Sequence, residues 1–527
     1  MERLPSSVTA LRNLECLDLH DCRDLVEFPK DMGNLDKLHV LNLTKCKKLG
    51  GIPVGIRQLS GLQKLGLFAL GEDEKFAGIS ELANLPRIGG ELSIRGIYHG
   101  LDPEDAHTAC LKQMTNLQGL DLRWRMEDED KVNTEMEQAV LDGLEPPPGI
   151  KKLRISGYSG RQYAWWMQNR VDGGVNGLPS FPFLRVMTLF KLPNLKHLNG
   201  LAELPCLEEL MVRAMPYLET ISGGPFPLLV KLSMYELPRL EEVWMVAERT
   251  MPDEEEGGGC SDSTPHTGQV RVGSCLSKLD IVKCPSLKVK PYLPSSLHKL
   301  LLCGHTEQLL QSSNFSQLKK LVVWGNGGLG SGRGWELLQP MTALESLDIQ
   351  HSSGLIELPE SLGNLKSLRS LELFACDAIR RLPMSLGELP SLQELTIGIC
   401  HSFNSFPQSI GRLTSLQVLK ITMCNALQQL PECLGGLRSL RKLYLSGLPL
   451  LTCIPQSICH LTSLNVLLIG RCPGIKSLPE GVKGLTALQE LDIDGCPDLA
   501  RHCKRGKGEG WHLISHIPRR RIRTREA

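Results

Sequence analysis

The chain contains no Cys-x-x-Cys pair, no Gly-x-x-x-x-Gly-Lys-[Ser/Thr] loop and no stretch of eighteen apolar residues. The first absence removes the common thiol spacings of zinc and dithiol redox sites. The second removes the phosphate loop of nucleotide hydrolases, and the third a membrane-spanning helix. Aromatic residues are scarce, at 5% of 527 positions, so the core must be aliphatic. Net charge is nearly absent as well: 59 Lys and Arg stand against 58 Asp and Glu. No global field therefore draws the chain to nucleic acid or to an acidic membrane, and either partner would need a local patch. The opening MERLPSSVTALRNLECLD sets Glu2 and Asp18 around a proline and lacks the apolar run of a signal peptide, which predicts a cytoplasmic protein. No Ser-His-Asp or paired-carboxylate set can be assembled, which predicts a protein that is not an enzyme.

What the chain has in abundance is leucine, at a fixed spacing. Leu-x-x-Leu-x-[Leu/Ile] begins at Leu344, Leu368, Leu392, Leu416, Leu440, Leu464 and Leu488, each 24 residues after the last. The same register opens the chain at Leu14, Leu38 and Leu62, and looser copies fill the middle, for about nineteen units. In each unit the last two leucines lie two residues apart, so on a short strand they point to one side and the residue between them to the other. The second half of the unit, as in Leu358-Pro359-Glu360-Ser361-Leu362, has the spacing of one helical turn punctuated by Pro and Gly. One unit cannot bury its own apolar edge, and stacked units can. The predicted fold is an α/β solenoid with a parallel sheet and short helical or irregular returning segments, curved so that the sheet lines a concave face.

Four segments are expected: regular repeats over 1–70 with an uncapped first unit, irregular repeats with inserted loops over 71–335, regular 24-residue repeats over 336–500, and a cap with a basic tail over 501–527. The stretch 251–268, MPDEEEGGGCSDSTPHTG, reads as an acidic projecting loop. The apolar edge near Leu4, Val8 and Leu11 predicts self-association of the isolated chain.

Eight of the 18 cysteines, Cys22, Cys46, Cys284, Cys376, Cys400, Cys424, Cys472 and Cys496, share one repeat position that elsewhere holds Ser352 or Leu448. A position that accepts Cys, Ser and Leu is a packing position, so these are expected to be buried free thiols and not metal ligands. Gly325-x-Gly327-x-x-Gly330 matches a dinucleotide fingerprint, but the following segment is too short for a crossover helix, so loop glycines are expected. The sequons at Asn42 and Asn314 are read as chance, Asn42 falling within a strand. The tail from Arg519 to Arg525 reads as a solvated charge run; its other readings are a phosphate-binding arm or a nuclear signal, the latter extending the location to the nucleus.

The residues between the last two leucines form one outward row, Asp348, Glu372, Thr396, Lys420, Tyr444, Leu468 and Asp492. Beside it runs a second row carrying the aromatics Phe68, Phe190, Tyr235, Trp324 and Phe374. From these rows Trp324, Phe374, Lys420, Tyr444 and Leu468 are predicted as a strip of protein contact, because exposed aromatics anchor interfaces.

Units such as LRSLELFACDAIRRLPMSLGELPS, Leu368 to Ser391, resemble the cytoplasmic class of plant leucine-rich repeats. Three stretches narrow this to plant nucleotide-binding leucine-rich-repeat disease-resistance proteins of the coiled-coil class, as in cereals. They are VLDGLEPPPGIKKLRISGYSGRQYAWWM from Val140 to Met167, Gly89-Gly90-Glu91-Leu92-Ser93-Ile94, and the ending from Cys496 through Trp511 to Pro518. The resemblance implies a leucine-rich-repeat horseshoe acting as the recognition and regulatory module of an intracellular immune receptor. It would sense a pathogen effector or an effector-modified host protein. The resemblance also implies packing against a nucleotide-binding domain that holds ADP or ATP; no cofactor is expected on these residues. The alternative is an intracellular leucine-rich-repeat signalling scaffold without immune sensing.

Overall fold

The structure is a computed structural model that describes residues 1–125, 133–167, 181–198, 201, 204–221, 226, 228–245, 275–291, 294–304, 315–325, 338 and 341–523. The acidic stretch 251–268 and the glycines after Gly325 lie outside the described residues. The chain divides into two units, one of Met1–Ser277 with Lys283–Pro294, the other of Lys278–Val282 with Ser295–Ala527.

In the first unit three short parallel strands, Cys16–Asp18, Val40–Asn42 and Lys64–Leu65, form one sheet. Leu67–Ala69, Gly90–Ile97, Leu117–Trp124, Lys152–Ser156, Val186–Phe190, Glu209–Arg213 and Lys231–Tyr235 form a second, each parallel to the next. A smaller sheet on the returning side joins His197–Leu198, Thr220–Ile221, Glu242–Met245 and Lys288–Pro291.

Two helices interrupt the repeats of this unit. Asp102 caps Pro103–Thr108, and Asn133 Oδ1 accepts from the Glu135 and Met136 amides at the head of Thr134–Gly143. The second helix is locked from three sides. His99 Nδ1 lies 2.6 Å from Glu137 Oε1, Ser159 N donates to Glu137 Oε2 at 3.3 Å, and Trp166 Nε1 donates to the Leu141 carbonyl at 3.1 Å. Both His99 and Glu137 are almost wholly buried. Much of the Val140–Met167 segment is thus the packing that seats this helix.

The second unit is a regular parallel ladder of eleven strands among the described residues. They are Lys278–Val282, Lys299–Cys303, Lys320–Trp324, Ser346–Gln350, Ser370–Phe374, Glu394–Gly398, Val418–Thr422, Lys442–Ser446, Val466–Gly470, Glu490–Asp494 and Arg519–Arg523. The expected leucine column is observed: Leu371, Leu395 and Leu419 are consecutive partners, each fully buried. The returning turns are five-residue 3-10 helices, Glu360–Asn364 through Glu480–Gly484, each entered from an extended proline. They are tighter than an α turn because the segment closes only a few i to i+3 bonds before the next strand begins. Glu432 bonds the next turn, accepting from the Gln456 and Ser457 amides at 3.2 and 2.9 Å. Those bonds, Ser457's first, hold its carboxyl below the usual range.

After most ladder strands of the second unit the chain turns through a residue with positive φ, and from Gly325 to Arg471 these residues include His351, Ala375, Ile399 and Met423. Left-handed geometry costs a residue with a Cβ roughly 1–2 kcal/mol. Here the cost is offset because each such amide donates to the next strand's last carbonyl, as His351 N does to Phe374 O and Ala375 N to Gly398 O, both at 2.8 Å.

The cysteine column packs as expected. Cys46, Cys284, Cys376, Cys400, Cys424, Cys472 and Cys496 are buried, and Cys22 is half-buried. The Sγ of Cys376 meets the Ile349 carbonyl at 3.5 Å, and Cys400, Cys424, Cys472 and Cys496 repeat the contact at 3.8 Å, each reaching 27 residues back. Burial pushes the Cys424 thiol up to about 11, so it is inert at neutral pH.

One expectation is corrected and another extended. Phe68 is fully buried and does not join the outward row. Gly66 interrupts its strand, after which Phe68 pairs with the inward-facing Ile94, so the side chain turns into the core. The basic tail is solvated as expected, its arginines exposed or half-exposed, but it is also ordered: Arg519–Arg523 is the last strand of the ladder. Its Arg523 lies 2.9 Å from Asp492 and 3.7 Å from Asp494, and Arg519 lies 3.9 Å from Glu490. An edge strand of arginines answered by the acids of its neighbour also blunts further strand pairing on that side.

Candidate protein-recognition face

The strand face opposite the leucine column is open along the second unit from Ser346–Gln350 onward, whereas in Lys278–Val282 and Lys320–Trp324 the middle residues of that face, Asp280 and Val322, are buried. Five-residue strands such as Ser346–Gln350 and Ser370–Phe374 bury their second and fourth residues and leave the first, third and fifth partly exposed. Because every strand is in register, the outward residues form straight rows. One row holds Val322, Asp348, Glu372, Thr396, Lys420, Tyr444, Leu468, Asp492 and Arg521, and the next Trp324, Gln350, Phe374, Gly398, Thr422 and Ser446.

The five predicted contact residues all lie on this face, but as two clusters. Lys420, Tyr444 and Leu468 are successive partners in one row. Trp324 and Phe374 lie in the other row, with Gln350 between them. They are joined by a residue the sequence reading missed, His351. Its ring stacks on Trp324 with centroids 5.6 Å apart and meets Phe374 edge-on at 6.0 Å. The signal was available only through the turn: His351 occupies the left-handed position after its strand, which swings its side chain beside the preceding unit's aromatic. Trp324 keeps 43% of its surface exposed. Phe374 leans over Gly398, where an added Cβ would lie 2.9 Å from the ring. That glycine leaves room for the ring, and Thr396 and Gly398 separate the two clusters.

Charge on the face is uneven. Asp348 and Glu372 are ladder partners, and Gln350 Nε2 donates to both Asp348 oxygens at 3.1 and 2.9 Å. Burial raises the Asp348 carboxyl, and burial together with the Asp348 charge raises that of Glu372. Lys278, Lys299 and Lys320 begin three neighbouring strands in one row. In the first unit the same face carries a closed stack, with the Arg213 guanidinium 5.5 Å from the Phe190 ring and 5.9 Å from that of Tyr235. Among the described residues no cluster of three or more His, Cys, Asp or Glu is placed to hold a metal, and no helix is long and apolar enough to cross a membrane.

Residues 79–215 match the family model described as R13L1/DRL21 LRRs, 300–443 that of a leucine-rich repeat region, and 439–461 that of the leucine rich repeat. Similar proteins include one from Arabidopsis thaliana named for disease resistance, 30% identical over 56% of this chain and 20% of its own length. RPP13-like protein 1 of Arabidopsis thaliana is 28% identical over 43% of this chain and 21% of its own. RGA1 of Solanum bulbocastanum is 28% identical over 60% and 29%. The chain thus spans less than a third of the length of each. Among solved structures, the leucine-rich repeat domain of the type III effector XopL is similar at 25% identity and a TM-score of 0.33, covering 43% of this chain and 70% of that one. A functional domain of InlJ from Listeria monocytogenes is similar at 14% identity and a TM-score of 0.37, covering 92% and 73%. Its repeat ladder and the matched family models make the chain a leucine-rich-repeat solenoid, similar in sequence to the leucine-rich-repeat portions of plant disease resistance proteins.

Proposed function

We propose that the open strand face of the second unit recognises a protein, either a pathogen effector or a host protein that an effector has altered. In the whole receptor the chain would also pack against a nucleotide-binding domain, the site of ADP or ATP, and restrain it until the partner binds. The observation that carries this reading is the face itself, where aromatic and charged side chains stand in registered rows on strands whose opposite side is sealed by leucine. Such a surface offers rigid anchors, and a buried aromatic anchor contributes about 2 kcal/mol or more to an interface. The reading places the receptor in the cytoplasm.

Changing Phe374 and Tyr444 together to Ala in the full-length receptor tests this. Both are half-buried on the open face, so folding is expected to persist in circular dichroism while partner-dependent cell death falls sharply. Intact folding with an undiminished response would remove both residues from the recognition surface.

A further inference from the structure

The first five strands of the second unit segregate charge. Lys278, Lys299 and Lys320 are ladder partners, so their side chains leave strands about 4.8 Å apart. Like charges facing one another across a sheet destabilise it. None of the three ammonium groups has a carboxylate partner or hydrogen bond among the described residues; the nearest acid along their own strands, Asp280, is buried and follows Lys278 by two positions. Some cations of this unit are answered, as Lys319 is by Glu345 at 3.5 Å and Arg523 by Asp492 at 2.9 Å. What sets these three lysines apart is that they are consecutive ladder partners, three like charges in one row.

On the next two strands, one row over, the sign reverses. Asp348 and Glu372 stand opposite each other there, while Ser346 and Ser370 continue the lysine row, and Glu372 accepts no hydrogen bond among the described residues. Lys320 is close enough to be felt by both carboxylates and Lys420 by Glu372, yet neither lysine forms an ion pair with them. The exposed Trp324 ring and its stack with His351 lie on the same face, at the far ends of these strands.

We propose that this face binds a protein segment of bipolar charge. A run of Asp or Glu would lie over Lys278, Lys299 and Lys320, followed by an Arg or Lys side chain over Asp348 and Glu372. The five strands span about 19 Å, the reach of roughly six residues of extended chain. The Trp324 ring adds a surface over which the partner's cation is attracted. A nucleic acid fits less well, because a continuous polyanion that satisfied the lysines would run onto the two carboxylates. The inference rests on the proposed recognition role of this face and names the chemistry of its partner.

Labelled peptides on the intact chain test it by fluorescence anisotropy. One peptide carries three glutamates, a short glycine spacer and two arginines; a second of equal length is all glutamate; the third probe is a short oligothymidylate. The bipolar peptide is expected to bind at least about ten-fold tighter than the all-acidic one. Joint replacement Lys278→Gln, Lys299→Gln and Lys320→Gln should weaken both peptides, whereas Asp348→Asn with Glu372→Gln should make the two bind alike. Unchanged binding in the lysine variant, or tighter binding of the oligothymidylate, overturns the proposal. If all probes bind weakly while the Phe374 and Tyr444 substitutions still abolish the cellular response, the bipolar partner is wrong and the recognition face stands.

Discussion

Replacing Leu395 with Ala lowers the unfolding free energy of the second unit by about 2–5 kcal/mol, the range for truncating a buried leucine. Leu395 is fully buried and lies in the leucine column between Leu371 and Leu419. The strands on both sides are clamped by the ladder, so the cavity cannot collapse without moving two neighbouring repeats. In a stacked array each repeat is stabilised by its neighbours, so the damage spreads along the stack. Urea melts followed by circular dichroism read it, and an unchanged midpoint would mean that Leu395 does not hold the units together.

Glu137→Ala is the second large effect. The substitution leaves the buried His99 Nδ1 and the Ser159 amide facing an empty space. Each orphaned buried group costs roughly 1–3 kcal/mol, so a loss of about 3 kcal/mol is expected in the first unit. The damage is local. Amide exchange should accelerate across Thr134–Gly143 and leave Glu394–Gly398 as slow as before, since that strand belongs to the other unit. Exchange unchanged at the helix would show that the Trp166 hydrogen bond to Leu141 seats it without Glu137.

The contrast between these two sites shows what the sequence made legible. Leu395 could be assigned to a buried column because its neighbours recur every 24 residues, and a period of that length dictates both strand and stacking. The cysteine column was readable for the same reason. Glu137 and His99 were not, because they are 38 residues apart in the stretch where the period breaks, and no spacing rule joins them. Phe68 was misplaced by a single residue of slippage at Gly66, which inverts every side chain after it. The tail was legible only as charge. Its arginines read as a free charge run because the acids that answer them, Asp492, Asp494 and Glu490, belong to the preceding unit and face them only once the strand is added.

The candidate face was legible as rows but not as clusters. Register alone placed Lys420, Tyr444 and Leu468 side by side. The link between Trp324 and Phe374 depends on the backbone hand of His351, which pattern does not encode. The lysine row was open to the same arithmetic, since Lys278, Lys299 and Lys320 each precede a buried leucine at a strand start.

Hydroxyl-radical footprinting of the full-length protein, with and without a protein partner of the proposed kind, tests the central claim most directly. The account predicts that oxidation of Trp324, Phe374 and Tyr444 falls on binding, while Met384, exposed on the returning turns, reacts as before. Protection of Met384 with Trp324, Phe374 and Tyr444 unchanged would place recognition on the turns and contradict the account.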